Sequence, residues 1–350
     1  MPDEPWTIKR ALDWTCGYLE RKGDENPRAS AQWLLGEAAG LSRIELYTNF
    51  DRVLSATELD ALHGFVARRA AGEPLQYITG EVTFRHINVH VKRGVLIPRP
   101  ETEVLVSEAL ALLPPVHRRY FDDDIVAALA TSADAAIELI DSDDSSEAFR
   151  DLFAQAKETA ESGVAGAATD KLLVADICTG SGCIACSIAY EHPETLVVAT
   201  DIAPEAIELA RENVRALGLD ARIGVVASDL GNNVAARFMG KFDLVVSNPP
   251  YVPSAVLAEL PREVADFEPA LALDGGEDGL DLFRRLADWS TRALAPGGGF
   301  ACELHETCLD AAADYLRGLG FADVKVVADL AGRPRVVVAR TVKEGDEHVR

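Results

Sequence analysis

KLLVADICTGSG, residues 171–182, decides the fold. Leu172, Leu173, Val174, Ala175 and Ile177 form an apolar run that reads as a buried strand. It stops at a turn holding Gly180 and Gly182, where glycine permits a tight reversal and close approach of a ligand to the backbone. GCIACSIAYEH (182–192) then reads as a helix whose first N–H groups point at whatever the turn holds, favouring an anionic group. Many strand–helix turns use glycine for packing alone, so the turn by itself is weak evidence for a ligand. LVVATDI, PEAIELARENVRALG, RIGVVASDL and FDLVVSNPP repeat the alternation as far as residue 250. LFRRLADWSTRAL, GGGFACEL, CLDAAADYLRGLG, VKVVADL and PRVVVAR continue it to residue 340. The pattern predicts an α/β fold: a doubly wound, Rossmann-like sheet with an antiparallel pair at its end.

Three acids fall at successive strand ends, along one rim of that sheet. Asp201 closes the second strand, 19 residues past Gly182, where a carboxylate can take both hydroxyls of a ribose. Asp176 stands ahead of the glycine turn, where a dinucleotide-binding fold would usually carry an apolar residue. An acid there suits an ammonium group, such as the amino-acid end of S-adenosylmethionine. Asp229, in VVASDL, suits an adenine amino group. A single such acid is more often a helix cap or a solvated loop residue; three on one rim point to a nucleotide-derived cofactor. No GxxxxGK[ST] run is present, so a P-loop phosphate cradle is unsupported.

The fourth strand reaches the same rim as VVSNPPYV (245–252). Pro249 and Pro250 restrict the backbone and donate no N–H. The stretch could simply turn a corner. In the functional reading, the side-chain oxygen of Asn248 accepts an N–H from a substrate NH2 group and the Pro249 carbonyl takes the other hydrogen. Tyr251 packs on the flat face of that group. Such a site suits an amide or an exocyclic amine, whose delocalised lone pair makes it a poor nucleophile. Two acceptors orient the nitrogen and stabilise the positive charge that develops on it.

The rest of the chain frames this unit. Residues 1–72 read as a small all-helical domain, with Asn26-Pro27 and the Ser55/Glu58 pair as helix-start signals. QYITGEVTFRHINVHVKRGVLI alternates and is rich in β-branched residues, which predicts a hairpin connector over 73–100. The third region, 101–350, opens with a helix, VLVSEALALL. It contains an insertion over 115–170 with thirteen acidic against four basic residues, expected to be solvated and partly disordered. The formal charge of −23 and the lack of any Lys/Arg cluster beyond pairs such as Arg284-Arg285 favour a protein or small-molecule partner over nucleic acid. MPDEPWTIKR is not read as a secretory signal, and six cysteines in 350 residues do not suggest a disulfide framework, so a cytoplasmic protein is expected. Cys178, Cys183 and Cys186 have iron–sulfur-like C-x4-C-x2-C spacing. Small buried core residues are the preferred reading, and no metal is expected.

GEPLQYITGEVTF (72–84), GVLIPRPETE (94–103), DICTGSG (176–182), NPPYV (248–252), PALALDGGEDGL (269–280) and DLAGRPRVVVAR (329–340) together resemble the release-factor glutamine methyltransferases. NPPY alone also occurs in amino-methyltransferases acting on adenine, cytosine or guanine; IPRPETE with ALDGGEDGL is more specific. The resemblance implies S-adenosylmethionine as methyl donor and, as acceptor, N5 of the glutamine in the Gly-Gly-Gln motif of peptide-chain release factors. It implies that the helical domain helps to hold the release factor. Cofactor contacts are expected at Asp176, Cys178, Thr179, Gly180, Ser181, Gly182, Asp201, Asp229, Leu230 and Asn248. Substrate contacts are expected at Asn248, Pro249, Pro250 and Tyr251, with Asn248, Pro249 and Tyr251 carrying the catalysis. Two departures stand out. Cys178 replaces the first glycine of the family's turn, so φ < 0 is expected there, and Leu230 follows Asp229 where relatives can carry an aromatic residue. A nucleic-acid amino-methyltransferase (adenine N6 or guanine N2) and a non-enzymatic binding module are the rival readings.

Overall fold

The computed structural model describes residues 5–116 and 171–343. Of the acidic segment expected over 115–170, all but the first two residues lie outside the described residues. The chain divides into two compact units: Met1–Val82 with Val91–Arg93 and Leu260–Glu268, and Thr83–His90 with Gly94–Glu259 and Pro269–Arg350. The boundary expected at 72/73 therefore does not coincide with the division, which runs through the hairpin region.

The first unit contains α1 (Ile8–Arg21), α2 (Pro27–Ala39), α3 (Arg43–Thr48), α4 (Ala56–Ala70) and α5 (Leu75–Thr79). Local chemistry sets their starts. Ser42 with Glu45 and Ser55 with Glu58 form reciprocal capping boxes, and Pro27 opens α2. Ile8, Leu12, Leu34, Leu35, Leu46 and Leu62 meet in the core of this unit. Arg69 donates to Asp24 Oδ2 at 2.7 Å and to the Glu73 carbonyl at 3.0 Å, with Glu263 Oε2 at 3.1 Å. That guanidinium joins α4 to the loop before α2 and to the late segment 260–268.

The hairpin is shorter than its sequence pattern predicts. QYIT folds into α5 because Pro74 starts a turn and Gly80, in the left-handed region at φ +80°, ends it. Tyr77 and Ile78 are buried side by side, which strict strand alternation would not allow. The strands are β1 (Glu81–Phe84) and β2 (Ile87–His90). In the second unit, Arg85 pairs in bidentate fashion with Glu191, at 2.5 and 2.8 Å, and its N–H donates to Glu103 Oε1.

The second unit continues with α6 (Thr102–Leu112), β3 (Leu172–Ile177), α7 (Cys183–Glu191), β4 (Thr195–Asp201), α8 (Pro204–Ala216), β5 (Ile223–Ala227) and β6 (Phe242–Ser247). A short turn of helix, α9 (Arg262–Ala265), lies in the segment assigned to the first unit. The chain then forms α10 (Asp281–Ala293), β7 (Leu294–Glu303), α11 (Leu309–Gly318), β8 (Ala322–Ala328) and β9 (Pro334–Arg340). The seven-stranded sheet has the order β5-β4-β3-β6-β7-β9-β8. All pairs are parallel except those of β9, which is antiparallel to β7 and to β8. The final hairpin thus inserts its second strand inside its first. PRVVVAR buries Val336, Val337 and Val338 against β7, whereas ADVKVVA, with Lys325, is left at the solvated edge.

α10 and α11 cover one face of the sheet, where Phe283, Leu286 and Leu316 pack on Ile177, Val245 and Phe300. α6 and α7 lie on the other. From β3 the chain winds outward through β4 and β5, then returns to the opposite side of β3 at β6. The carboxyl ends of β3 and β6 therefore flank the switch point, where open α/β sheets bind ligands.

Candidate active site

Beyond Ile177 the backbone reverses through three left-handed residues: Cys178 at φ +61°, Gly180 at +57° and Gly182 at +80°. The φ < 0 expected for Cys178 is therefore wrong. The position keeps the glycine-like backbone, because that reversal carries the Thr179 N–H onto the Thr200 carbonyl at 2.9 Å. The thiol side chain is accommodated by packing against the sheet core, and burial pushes its pKa above the usual thiol range. Gly182 is required for a different reason. A Cβ there would stand 3.2 Å from the Cβ of Ala210 and 3.3 Å from its Cα, so the residue sets how closely α8 approaches the turn.

Asp176 supports this turn from below. It is fully buried, and its Oδ2 accepts from the Thr179 hydroxyl at 2.6 Å and from the Ala185 N–H at 3.1 Å. Oδ1 has no partner among the described residues. Desolvation, partly countered by these hydrogen bonds, pushes its pKa up to about 7. Asn213, buried on α8, fastens the turn from outside. Its Nδ2 donates to the Ser181 carbonyl at 2.8 Å and to the His90 carbonyl at 3.0 Å, and its Oδ1 accepts from the His90 N–H at 2.7 Å.

Over the turn lies a cavity of about 240 Å3. Cys178, Thr179, Gly180, Ser181, Asp201, Asp229, Leu230, Asn248 and Pro250 all line it, so most of the residues expected at the site converge there. Asp176, Gly182, Pro249 and Tyr251 do not line it. Asp201 is held by backbone N–H groups, Oδ2 by Gly180 and Oδ1 by Ala203, each at 2.9 Å, and desolvation raises its pKa. Asp229 receives Arg285 Nη2 on its Oδ2 at 2.5 Å, and Arg285 also lines the cavity. Leu230, at φ +51° and buried, turns an apolar side chain inward.

Asn248 occupies the β6 end of the cavity. Its Nδ2 donates to Thr102 Oγ1 at 3.2 Å, and its Oδ1 is buried with no partner among the described residues. An oriented acceptor of this kind costs stability unless a ligand donates to it. Tyr251 points away from the cavity: its hydroxyl donates to Glu303 Oε1 at 3.0 Å, and burial together with that carboxylate raises its pKa. The face-stacking role expected for this ring has no support in this placement. Thr102 and Arg285 also line the cavity, and Glu303, which does not, is buried against Tyr251; sequence reasoning placed none of the three there. Thr102 lies within the distinctive IPRPETE run and Arg285 in a noted arginine pair, so both were visible. Nothing in GGGFACEL distinguishes Glu303 from an ordinary strand end.

The described cysteines are free thiols. Cys183 and Cys186 are buried on α7, and burial raises the pKa of both, that of Cys183 to about 12.

Residues 10–80 match the PrmC N-terminal domain, and residues 166–260 match the methyltransferase small domain. A release factor glutamine methyltransferase from Geobacter sulfurreducens is 37% identical over 96% of this chain and 98% of its own length. The chain belongs to the release factor glutamine methyltransferase family. Family members from Rhodopirellula baltica and Koribacter versatilis are 34% and 36% identical, over 96% and 95% of this chain and 96% and 98% of their own lengths. In this release factor glutamine methyltransferase family member, the first match spans α1 to α5, and the second runs from before β3 past the Asn-Pro-Pro-Tyr turn.

Proposed function

We propose that this chain methylates the side-chain amide nitrogen, N5, of the glutamine in the Gly-Gly-Gln motif of peptide-chain release factors, with S-adenosylmethionine as donor. The observation that carries the reading is Asn248, which lines the cavity: Thr102 holds its Nδ2, and its Oδ1 is a buried acceptor without a hydrogen-bond partner among the described residues. An incoming amide NH2 supplies the missing donor.

The cavity suits the cofactor. Backbone atoms of a turn without a side chain at Gly180, an Asp201 carboxylate fixed by two N–H groups, and an apolar Leu230 beside Asp229 make a wall for an amino-acid chain, a ribose and an adenine. When bound, S-adenosylmethionine supplies an electrophilic methyl group on a sulfonium. Asp201 would hold the ribose hydroxyls, Asp229 and Leu230 the adenine, and Thr179 and Ser181 the amino-acid end. Asp176 would act through the turn it braces.

The protein's part in the chemistry is orientation and electrostatics. An amide nitrogen shares its lone pair with its carbonyl, so it must be presented squarely and its growing positive charge offset. Asn248 Oδ1 does both by accepting one N–H. No base is needed before transfer, since the proton becomes acidic only as the new bond forms. The release factor would be held in part by the helical unit. The net charge of −23 argues against stable nucleic-acid binding. Among the described residues no helix is long and apolar enough to cross a membrane. A cytoplasmic role at translation termination follows from the proposed substrate.

The test is transfer of labelled methyl to a release factor and to the same factor with its Gly-Gly-Gln glutamine changed to alanine. Label on the first alone supports the reading. Label on neither, with S-adenosylhomocysteine still bound, refutes it and redirects the search to nucleic-acid amines. Asn248→Ala should lower kcat by roughly 100-fold, as loss of one oriented transition-state hydrogen bond does.

A further inference from the structure

PALALDGGEDGL (269–280) is among the most distinctive runs of the chain, yet orientation of the amide by Asn248 makes no direct use of it. Its first part, with Pro269, Leu271 and Ala272, lines the cavity. Its middle lies against the chain at the end of the Asn-Pro-Pro-Tyr turn. The Val252 N–H donates to the Leu273 carbonyl at 2.8 Å, the Gly275 N–H to the Val252 carbonyl at 2.9 Å, and the Ser254 N–H to the Gly276 carbonyl at 2.9 Å. Asp274 Oδ1 closes this clasp, accepting from the Ser254 hydroxyl at 2.8 Å and from the Gly276 N–H at 3.0 Å. Two glycines let the segments meet. A Cβ on Gly275 would stand 2.7 Å from the Tyr251 Cα and 2.8 Å from its carbonyl carbon, and one on Gly279 would stand 2.5 Å from the Tyr251 carbonyl oxygen. Gly275 is not in the left-handed region, so the close approach alone requires glycine there.

We infer that Gly275 is a positioning residue for the transfer: it seats the clasp directly on the main chain of Tyr251, so that Asn248 is held from both sides. On one side, Asn248 follows Ser247, the last residue of β6 to pair with β3 and β7. On the other, Val252 is fixed between the Leu273 carbonyl and the Gly275 N–H. Pro249 and Pro250 lie between these anchors with fixed φ, so a shift of Tyr251 and Val252 is passed to Asn248 rather than absorbed. The magnitude follows from the contact. Gly275→Ala must open 2.7 Å to the 3.4 Å at which ordinary packing begins, a separation of about 0.7 Å. A misplacement of about 1 Å in a group that orients substrate can cost on the order of 100-fold in rate. Gly275 itself does not line the cavity, and it acts only through the turn it supports.

The inference rests on Asn248 as the amide acceptor, and the experiment separates the two. Wild type, Gly275→Ala, Asp274→Ala and Asp274→Asn are compared for kcat and KM with a release factor and for Kd of S-adenosylhomocysteine by calorimetry. Amide hydrogen exchange at Val252 and Ser254 reads the clasp itself. Gly275→Ala should lose at least about tenfold in kcat, with KM and Kd within about threefold of wild type. Asp274→Ala should lose about threefold or more in kcat and exchange faster at both amides. Asp274→Asn should restore both, because its side-chain oxygen still accepts from the Ser254 hydroxyl and the Gly276 N–H. A merely stabilising role would leave kcat of the folded protein unmoved in every variant. Wild-type kcat in Gly275→Ala, or a loss confined to KM or Kd, would overturn the inference while leaving the proposed reaction standing. No transfer by wild type would overturn both. If Gly275→Ala does not fold, the Asp274 pair decides alone: equal kcat in Asp274→Ala and Asp274→Asn overturns the inference.

Discussion

Gly182 offers a quantitative check on why the turn carries glycine where it does. Changing it to alanine adds a Cβ at φ +80°, which costs about 1–2 kcal/mol for an L-residue in the left-handed region. That Cβ also lands 3.2 Å from the Ala210 Cβ and 3.3 Å from its Cα, closer than ordinary contact. Both are short, stiff groups, one of them main chain, so α8 must shift as a body, at a further cost of about 1–3 kcal/mol. The sum is about 2–5 kcal/mol. Gly180→Ala isolates the first contribution, because its added Cβ meets only Val95 Cγ1, at 4.0 Å. It should cost about 1–2 kcal/mol of stability and act mainly on cofactor binding, since Gly180 lines the cavity and Gly182 does not. Urea unfolding of wild type and both variants, at fixed m-value, measures the two costs. Calorimetry with S-adenosylhomocysteine measures the affinities. Equal destabilisation by the two substitutions, or loss of less than about 1 kcal/mol for Gly182→Ala, would refute the packing argument.

Asp176 predicts a pH effect of definite sign. Its folded pKa, about 7, lies above the unfolded value of 3.8, so the native state binds the extra proton between those values and stability falls as pH rises from about 4 to 7. The full effect is at most about 4 kcal/mol, and Asp176→Asn should flatten the wild-type slope in denaturant midpoints over that window; an unchanged slope would contradict the assignment. Arg85→Ala removes a half-buried bidentate pair with Glu191 and should cost about 2–4 kcal/mol, with chemical denaturation as the measurement. Asn213→Ala removes the side-chain hydrogen bonds to His90 and to the Ser181 carbonyl and should cost about 2–4 kcal/mol. Because Ser181 borders the cavity, the same variant should also weaken S-adenosylhomocysteine binding, read by calorimetry.

The sequence by itself determined the features set by neighbouring residues. Capping boxes at Ser42 and Ser55 and the strand–glycine–helix passage at 171–192 depend on side chains within a few positions of one another. Their hydrogen bonds and periodicities can be read directly from local spacing. QYIT misled because a short apolar segment suits strand and helix equally, and the flanking Pro74 and Gly80 decided the outcome. The tertiary structure decided what depends on burial and on distant partners. Asp176 became a brace beneath the turn because the sheet and α7 enclose it. Cys178 took a positive φ because Thr179 had to reach the carbonyl of Thr200 on the next strand. Asn248 acquired its hydrogen bond with Thr102, 146 positions away, a partner that no local spacing reveals. Such contacts arise when packing excludes water and leaves each buried polar atom only the partners that the fold brings within reach.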